Sequence, residues 1–192
     1  MIFMKMTSTT KTAVVATLAL ALLAVFCPAV LHAEPPVTSS TVQLNVAGAG
    51  PRSVEDLTEH TIARDYDAAW KSMAQAFAQG SAAPLSAYFT GSAKTALAKA
   101  VKSQQQSGLR SQYTNQSHKL RAIFYAPEGD AMELQDTAEF DFQLMDGDKV
   151  VHQEHTVLHY VVLMTPSSDR WMVRRLESVP GVGEKEVSSA QP

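Results

Sequence analysis

Three histidines lie within eight residues of one another in the second half of the chain. His152, His155 and His159 belong to the run "VVHQEHTVLHYVVLM" at 150–164. Imidazole side chains bind metal ions and exchange protons near neutral pH, so the run suggests either a metal site or an acid–base site. The secondary structure of the run decides which of these is physically allowed.

A metal site built from this run alone is excluded if the run is a strand. His155 and His159 then point to the same side, but a rise of about 3.3 Å per residue separates them by roughly 13 Å. Zinc–nitrogen bonds are only about 2.1 Å long, and His152 points to the opposite side. We expect no metal and no cofactor, and a metal shared with residues distant in sequence is the alternative left open.

Acid–base chemistry requires a partner for one histidine, and the sequence offers Asp136. If Gly147 and Asp148 form a two-residue hairpin loop, Asp136 lies opposite His159, with Cβ atoms about 5 Å apart. A carboxylate beside an imidazole can act as a general base, so Asp136 and His159 are the candidate catalytic residues. A β-bulge would break this register, and the pair would then be a surface hydrogen bond. We favour the structural role over catalysis.

The strands that carry these residues are indicated by alternation. In "AMELQDTAEFDFQLM" (131–145), apolar and polar residues alternate, with Asp136 as a polar interruption of the apolar side, and this is a strong strand signal. "HKLRAIFYAP" (118–127), the histidine run and "WMVRRLESV" (171–179) are predicted to be the other strands.

Helices are predicted before the strands. Ser53 is a candidate N-cap for a helix that ends at Gly80, and a second helical segment starts near Pro84. Ser92 is a candidate N-cap for a further helix that ends before Gly108. The first helix has one apolar face, because its large apolar residues recur every three or four positions: Ile62, Tyr66, Trp70, Met73 and Phe77.

Helices followed by a meander predict an α+β domain, with N-terminal helices packed on a curved antiparallel sheet. This order, with the segments "YDAAWKSMAQAFAQG", "PLSAYFTGSA" and "DRWMV", resembles the cone-shaped superfamily of nuclear transport factor 2 and ketosteroid isomerase. The resemblance covers about residues 54–179, with Asp-Arg where these domains commonly have glycine before the tryptophan. It implies a cone-like fold used by enzymes, ligand binders, dimerisation modules and translocation tethers, so the fold does not select a function.

A pocket and a dimer interface are also predicted. The histidine strand is apolar on both sides, which predicts burial of both faces and a homodimer through the sheet. A pocket between helix and sheet is expected to bind a small apolar ligand. The aromatic residues predicted to line it are also typical of an ordinary hydrophobic core. The expected pocket-lining residues are Tyr66, Trp70, Phe77, Phe124, Phe140, His155 and Trp171.

The beginning of the chain resembles a secretory leader. Two lysines precede the apolar stretch "AVVATLALALLAVF" (13–26), and Ala33–Glu34 is a suitable cleavage point. We expect a signal peptide at 1–33, a flexible tether at 34–52, one domain at 53–179 and a disordered tail at 180–192. The only cysteine, Cys27, lies in the leader, so the exported chain has no thiol chemistry.

Together these features predict an exported, periplasmic or extracellular, non-catalytic binding or protein-interaction module. Two alternatives stay open: a small cofactor-free enzyme that uses the Asp136–His159 pair on an apolar substrate, and a membrane-anchored assembly factor if the leader is retained. The net charge of −3 argues against nucleic acid as a partner, because phosphate contacts require a basic surface.

Overall fold

The computed structural model describes residues 40–180, and these form an α+β domain. The predicted signal peptide and all of the predicted tail except Pro180 lie outside the described residues. No helix within 40–180 has the length and apolarity needed to cross a bilayer. The elements, in chain order, are β1 (Ser40–Asn45), α1 (Asp56–Gln79), a short 3-10 helix (Ala83–Ala87), α2 (Gly91–Gln106), β2 (Leu109–Tyr125), β3 (Met132–Asp146), β4 (Lys149–Pro166) and β5 (Trp171–Val179).

The five strands form one open mixed sheet in sequential order, with β1 and β5 at its edges. Strands β2 to β5 are an antiparallel meander, as expected, but β1 pairs in parallel with β2. The flexible tether expected at 34–52 is therefore wrong for residues 40–45. The physical reason is period-two alternation in "TVQLNV": Val42, Leu44 and Val46 pack against the core, whereas the residues between them are exposed.

Helix α1 buries one face against the sheet, as its periodicity predicts. Its buried apolar positions are Ile62, Tyr66, Ala69, Trp70, Met73, Ala76 and Phe77. The helix ends where predicted, because Gly80 adopts φ 62°, a left-handed conformation that glycine reaches without strain. The predicted caps differ, since Glu55 rather than Ser53 precedes α1 and Thr90 rather than Ser92 precedes α2.

The sheet has two faces. The inner face packs against α1, and the outer face points away from α1.

The loop between β3 and β4 is the predicted one. Gly147 and Asp148 form this two-residue loop, because Asp146 pairs with Lys149. Strand β2 starts at Leu109, nine residues before the predicted start at His118. Its first half is mostly polar and contains a bulge between Thr114 and Ser117, so the alternation is interrupted there.

A matched pair of leucine variants tests this layering. Leu134 on β3 is fully buried, whereas Leu57 on α1 is 76% exposed. We expect Leu134→Ala to lower the free energy of unfolding by about 2–5 kcal/mol, because it removes buried methyl groups and leaves a cavity. Leu57→Ala should change it by no more than about 0.5 kcal/mol. Urea denaturation measures both, and equal losses would contradict the packing described.

Candidate functional site

A β-bulge near the start of β4 decides which side chains face the helices. Met145 pairs with Val150, but Leu144 pairs with His152, so Val151 is an extra residue. Beyond the bulge, each β3 residue pairs with the β4 residue one position later than it would in a hairpin without the extra residue. Asp136 consequently pairs with Tyr160 instead of His159.

The predicted Asp136–His159 pair is therefore wrong. His159 pairs with Thr137 on the outer face, where its Nδ1 lies 3.2 Å from the Thr137 hydroxyl. Asp136 is buried on the inner face with 2% of its surface exposed. The sheet separates the two side chains, so they cannot share a proton.

The other two histidines also lack contact with Asp136. His155 is on the outer face, where Nδ1 lies 2.8 Å from Asp141 and Nε2 lies 3.1 Å from Glu139. His152 is 3.4 Å from Glu154, with both side chains about half exposed. Among residues 40–180, no three His, Cys, Asp or Glu side chains gather closely enough to hold a metal ion.

The partner of Asp136 is His118, which the sequence did not single out. The Tyr66 hydroxyl donates to Asp136 Oδ2 at 2.7 Å, and His118 Nδ1 lies 2.9 Å from the same oxygen. When Nδ1 carries the ring proton, both groups donate to one carboxylate oxygen. The side chains of His118 and Asp136 are fully buried. Three residues far apart in sequence thus form a polar cluster, Tyr66–Asp136–His118, inside an apolar core.

The cluster is closed off by Trp70. The centroids of the Trp70 and His118 rings are 4.4 Å apart, and Trp70 also contacts Tyr66. Burial, followed by the nearby Asp136 carboxyl, raises the pKa of Tyr66 well above its ordinary value, so the hydroxyl stays protonated and remains a donor. Asp136 Oδ1 and His118 Nε2 have no hydrogen-bond partner. The cluster is a structural element with no access to solvent.

A cavity of about 410 Å³ lies on the other side of Trp70, between the two helices and the inner face of β2–β5. Its wall is mainly apolar and aromatic. Tyr113 contacts three other aromatic rings in this wall, and its ring centroid lies 5.4–5.7 Å from those of Phe77, Phe140 and Phe142. The lining residues are Trp70, Met73, Phe77, Leu97, Tyr113, Phe140, Phe142, Glu154, Thr156, Leu158, Tyr160, Leu176 and Ser178.

Two tyrosine hydroxyls on this wall stay neutral. Burial raises the pKa of Tyr113 to about 12, and burial, with the charges of Tyr113 and Asp136 as smaller causes, raises the pKa of Tyr160 to about 12. Each hydroxyl therefore keeps its proton at neutral pH and can act as a hydrogen-bond donor. Of the described residues that line the cavity, Glu154 alone carries a carboxylate.

The structure divides the seven residues predicted to line the pocket. Trp70, Phe77 and Phe140 line the cavity, and Tyr66 is buried behind it in the polar cluster. The other three lie elsewhere. Phe124 and His155 face outward, and Trp171 packs near Tyr125 and donates its backbone N–H to Asp65.

Sequence reasoning missed several lining residues for two reasons. Leu158 and Tyr160 were expected on the opposite face, because the bulge at Val151 was not foreseen. Tyr113 lies in the first half of β2, which was not recognised as a strand. An aromatic residue in a run of polar residues was the available signal for Tyr113, since such positions are common on the buried side of a strand.

The fold is shared with a solved structure. The chain aligns with the crystal structure of the intermembrane space region of the chloroplast protein ARC6 with a TM-score of 0.54 and 16% identity, covering 68% of this chain and 100% of that one. No protein-family model matches the chain. A search of curated proteins also finds no match. At this identity the likeness concerns the fold alone.

Variants of the polar cluster test its structural role. Tyr66→Phe should cost about 0.5–1.5 kcal/mol of unfolding free energy, because it removes one buried hydrogen bond. Asp136→Ala should cost more than about 2 kcal/mol, since it leaves two buried donors unpaired at about 1–3 kcal/mol each. His159→Ala, on the outer face, should cost less than about 1 kcal/mol. If His159→Ala is as destabilising as Asp136→Ala in urea denaturation, the register is wrong.

The pH dependence of His155 tests the outer-face contacts. Its hydrogen bond to Asp141, with Glu139 adding charge, raises the His155 pKa above 6.5. Its stabilising contribution is thus complete below pH 6.5 and is lost as pH rises through the raised value. Asn115 and then His155 lower the Asp141 pKa below 3.8, so that contribution is present above 3.8 and is lost as pH falls through the lowered value.

The measurement is an NMR titration of the His155 ring. We expect a titration midpoint above pH 6.5 for the His155 ring. The midpoint should fall toward 6.5 in Asp141→Asn and stay unchanged in the control Asp148→Asn, because Asp148 lies in the hairpin loop. A midpoint that Asp141→Asn leaves unchanged would show that the ring does not contact Asp141.

Proposed function

We propose that the protein is an exported, non-catalytic binding or protein-interaction module that accepts an apolar group in the cavity beneath Trp70. The observation that carries this proposal is the cavity itself. Its volume of about 410 Å³ falls within the range of about 300–1,000 Å³ that is typical of ligand pockets. Its aromatic wall and few polar groups favour an apolar occupant.

The chemistry around the cavity supports binding over catalysis. A general base requires a titratable group within hydrogen-bond reach of a substrate. The expected base does not form, because Asp136 and His159 lie on opposite faces of the sheet. The pair of Asp136 and His118 is fully buried, and Trp70 packs against it. Glu154, about half exposed and 3.4 Å from His152, lies at the margin of the cavity. It is well placed to select a cationic neighbour.

The proposed location outside the cytoplasm rests on the leader-like sequence at 1–33. The similar ARC6 region is described as an intermembrane-space region, which is compatible with that location.

We also propose that the chain belongs to the nuclear transport factor 2-like superfamily, and the helices that precede an antiparallel meander support this proposal. The anchored alternative depends on whether the leader is retained, and the mass of the mature N-terminus distinguishes the two.

Blocking the cavity tests the proposal with a neighbouring control. Ser178 on β5 lines the cavity, whereas Val179 pairs with His159 on the outer face. Ser178→Trp should weaken binding of the neutral apolar dye N-phenyl-1-naphthylamine by about tenfold or more, because the new ring occupies the apolar space. Val179→Trp should leave dye binding unchanged. Dye fluorescence and quenching of tryptophan emission report binding.

Two results would contradict the proposal. In the first, the wild-type chain does not bind the dye. In the second, Ser178→Trp and Val179→Trp bind it equally well, which would place the dye outside the cavity.

A further inference from the structure

The first half of β4 has a free edge. Strand β5 pairs with β4 only from His159 to Pro166 and ends at Val179. Within residues 40–180, the β4 residues from 149 to 158 pair with β3 alone. Among the described residues, their backbone N–H and C=O groups on the side away from β3 have no strand partner. An unpaired edge of this kind is a template for another strand.

The free edge borders the cavity. Glu154, Thr156 and Leu158 alternate along it, and all three line the cavity. Because side chains of adjacent strands project to the same faces, a strand added at this edge would place every second side chain over the inner face. The side chain opposite Thr156 would then lie at the cavity mouth. Backbone pairing and cavity filling are thus geometrically compatible.

The bulge limits how much of the edge is usable. Regular pairing of β4 with β3 resumes at His152, so the edge from 152 to 158 is regular over seven residues. Val157, on this stretch, is 50% exposed, and no proline interrupts it. Prolines and inward-pointing charges are common devices that protect an edge from pairing. Apart from the bulge at Val151 and the inward-facing Glu154, this edge carries none of these devices.

Charge indicates which kind of strand would bind. The carboxylates near this end of the sheet are Glu139, Asp141, Asp146, Asp148 and Glu154, and the basic residues of the same strand ends are Lys149 and Arg110. Two histidines are also present: His155 contacts Asp141 and Glu139, and His152 lies 3.4 Å from Glu154. Carboxylates still outnumber the lysine and arginine by five to two. The acidic excess favours a cationic partner and disfavours an acidic one.

We propose that the edge of β4 at 152–158 binds an extended, cationic segment of another polypeptide as a sixth strand, antiparallel to β4, with one apolar side chain inserted in the cavity. This inference rests on the proposed function, because it identifies the occupant of the same cavity. Backbone hydrogen bonds supply general affinity, and the cavity and Glu154 select an apolar residue with a lysine or arginine two positions away.

The probe is the capped peptide VTFTKTK, in which phenylalanine faces Thr156 and the next inward residue, lysine, faces Glu154. Calorimetric titration of the full chain should give micromolar binding that competes with N-phenyl-1-naphthylamine. Binding should weaken with added salt. Glu154→Gln should reduce affinity about threefold to fivefold at low salt. Glu128→Gln, in the turn at the opposite end of β3, should leave affinity unchanged.

Two N-methylated peptides test strand addition itself. One carries the methyl group on the phenylalanine nitrogen and the other on the nitrogen of the threonine that follows. Successive N–H groups of a strand point to opposite sides, so only one of the two peptides loses a hydrogen bond to β4. We expect about tenfold weaker binding for one peptide and near-normal binding for the other.

The outcomes separate this inference from the proposed function. If the dye binds and both methylated peptides bind as well as the parent peptide, strand addition is wrong and the apolar cavity stands. If neither dye nor peptide binds, both proposals fail. If the chain sediments as a dimer that the peptide cannot displace, a second copy occupies the edge and the cationic-peptide proposal is overturned.

Discussion

The single extra residue at Val151 is the constraint on which the rest of the structure depends. A strand has a side-chain period of two, so one inserted residue exchanges the faces of everything beyond it relative to the regular hairpin. Here the exchange directs Leu158 and Tyr160 inward and His155 and His159 outward. The apolar cavity and the separation of the β4 histidines from Asp136 have this one geometric cause.

The inner face then combines a buried polar cluster with an apolar cavity, and Trp70 divides them. Its ring contacts His118 on one side, and it lines the cavity together with Tyr160 on the other. Burying the Asp136 carboxyl is costly unless it is hydrogen-bonded, and Tyr66 and His118 provide those bonds. The cluster joins α1 to β2 and β3 through hydrogen bonds beside the cavity.

Local patterns predicted much of this fold, and long-range pairing limited the rest. The alternation of β3, the apolar face of α1 and the Gly147-Asp148 loop are all signals carried by neighbouring residues. The bulge has no such signal, because Val150 and Val151 are equally suited to the paired position. The parallel pairing of β1 with β2 and the contact of His118 with Asp136 join residues distant in sequence. Periodicity does not specify such contacts.

The face of β4 that meets α1 is tested most directly by aromatic contacts to Trp70. In the structure the ring centroids of Trp70 and Tyr160 are 5.7 Å apart, whereas His159 lies on the outer face of the sheet, away from Trp70. A nuclear Overhauser spectrum of selectively labelled protein should show cross-peaks from the Trp70 ring to Tyr160 and His118, and none to His159. Cross-peaks from Trp70 to His159, without those to Tyr160, would contradict the bulged register and the site derived from it.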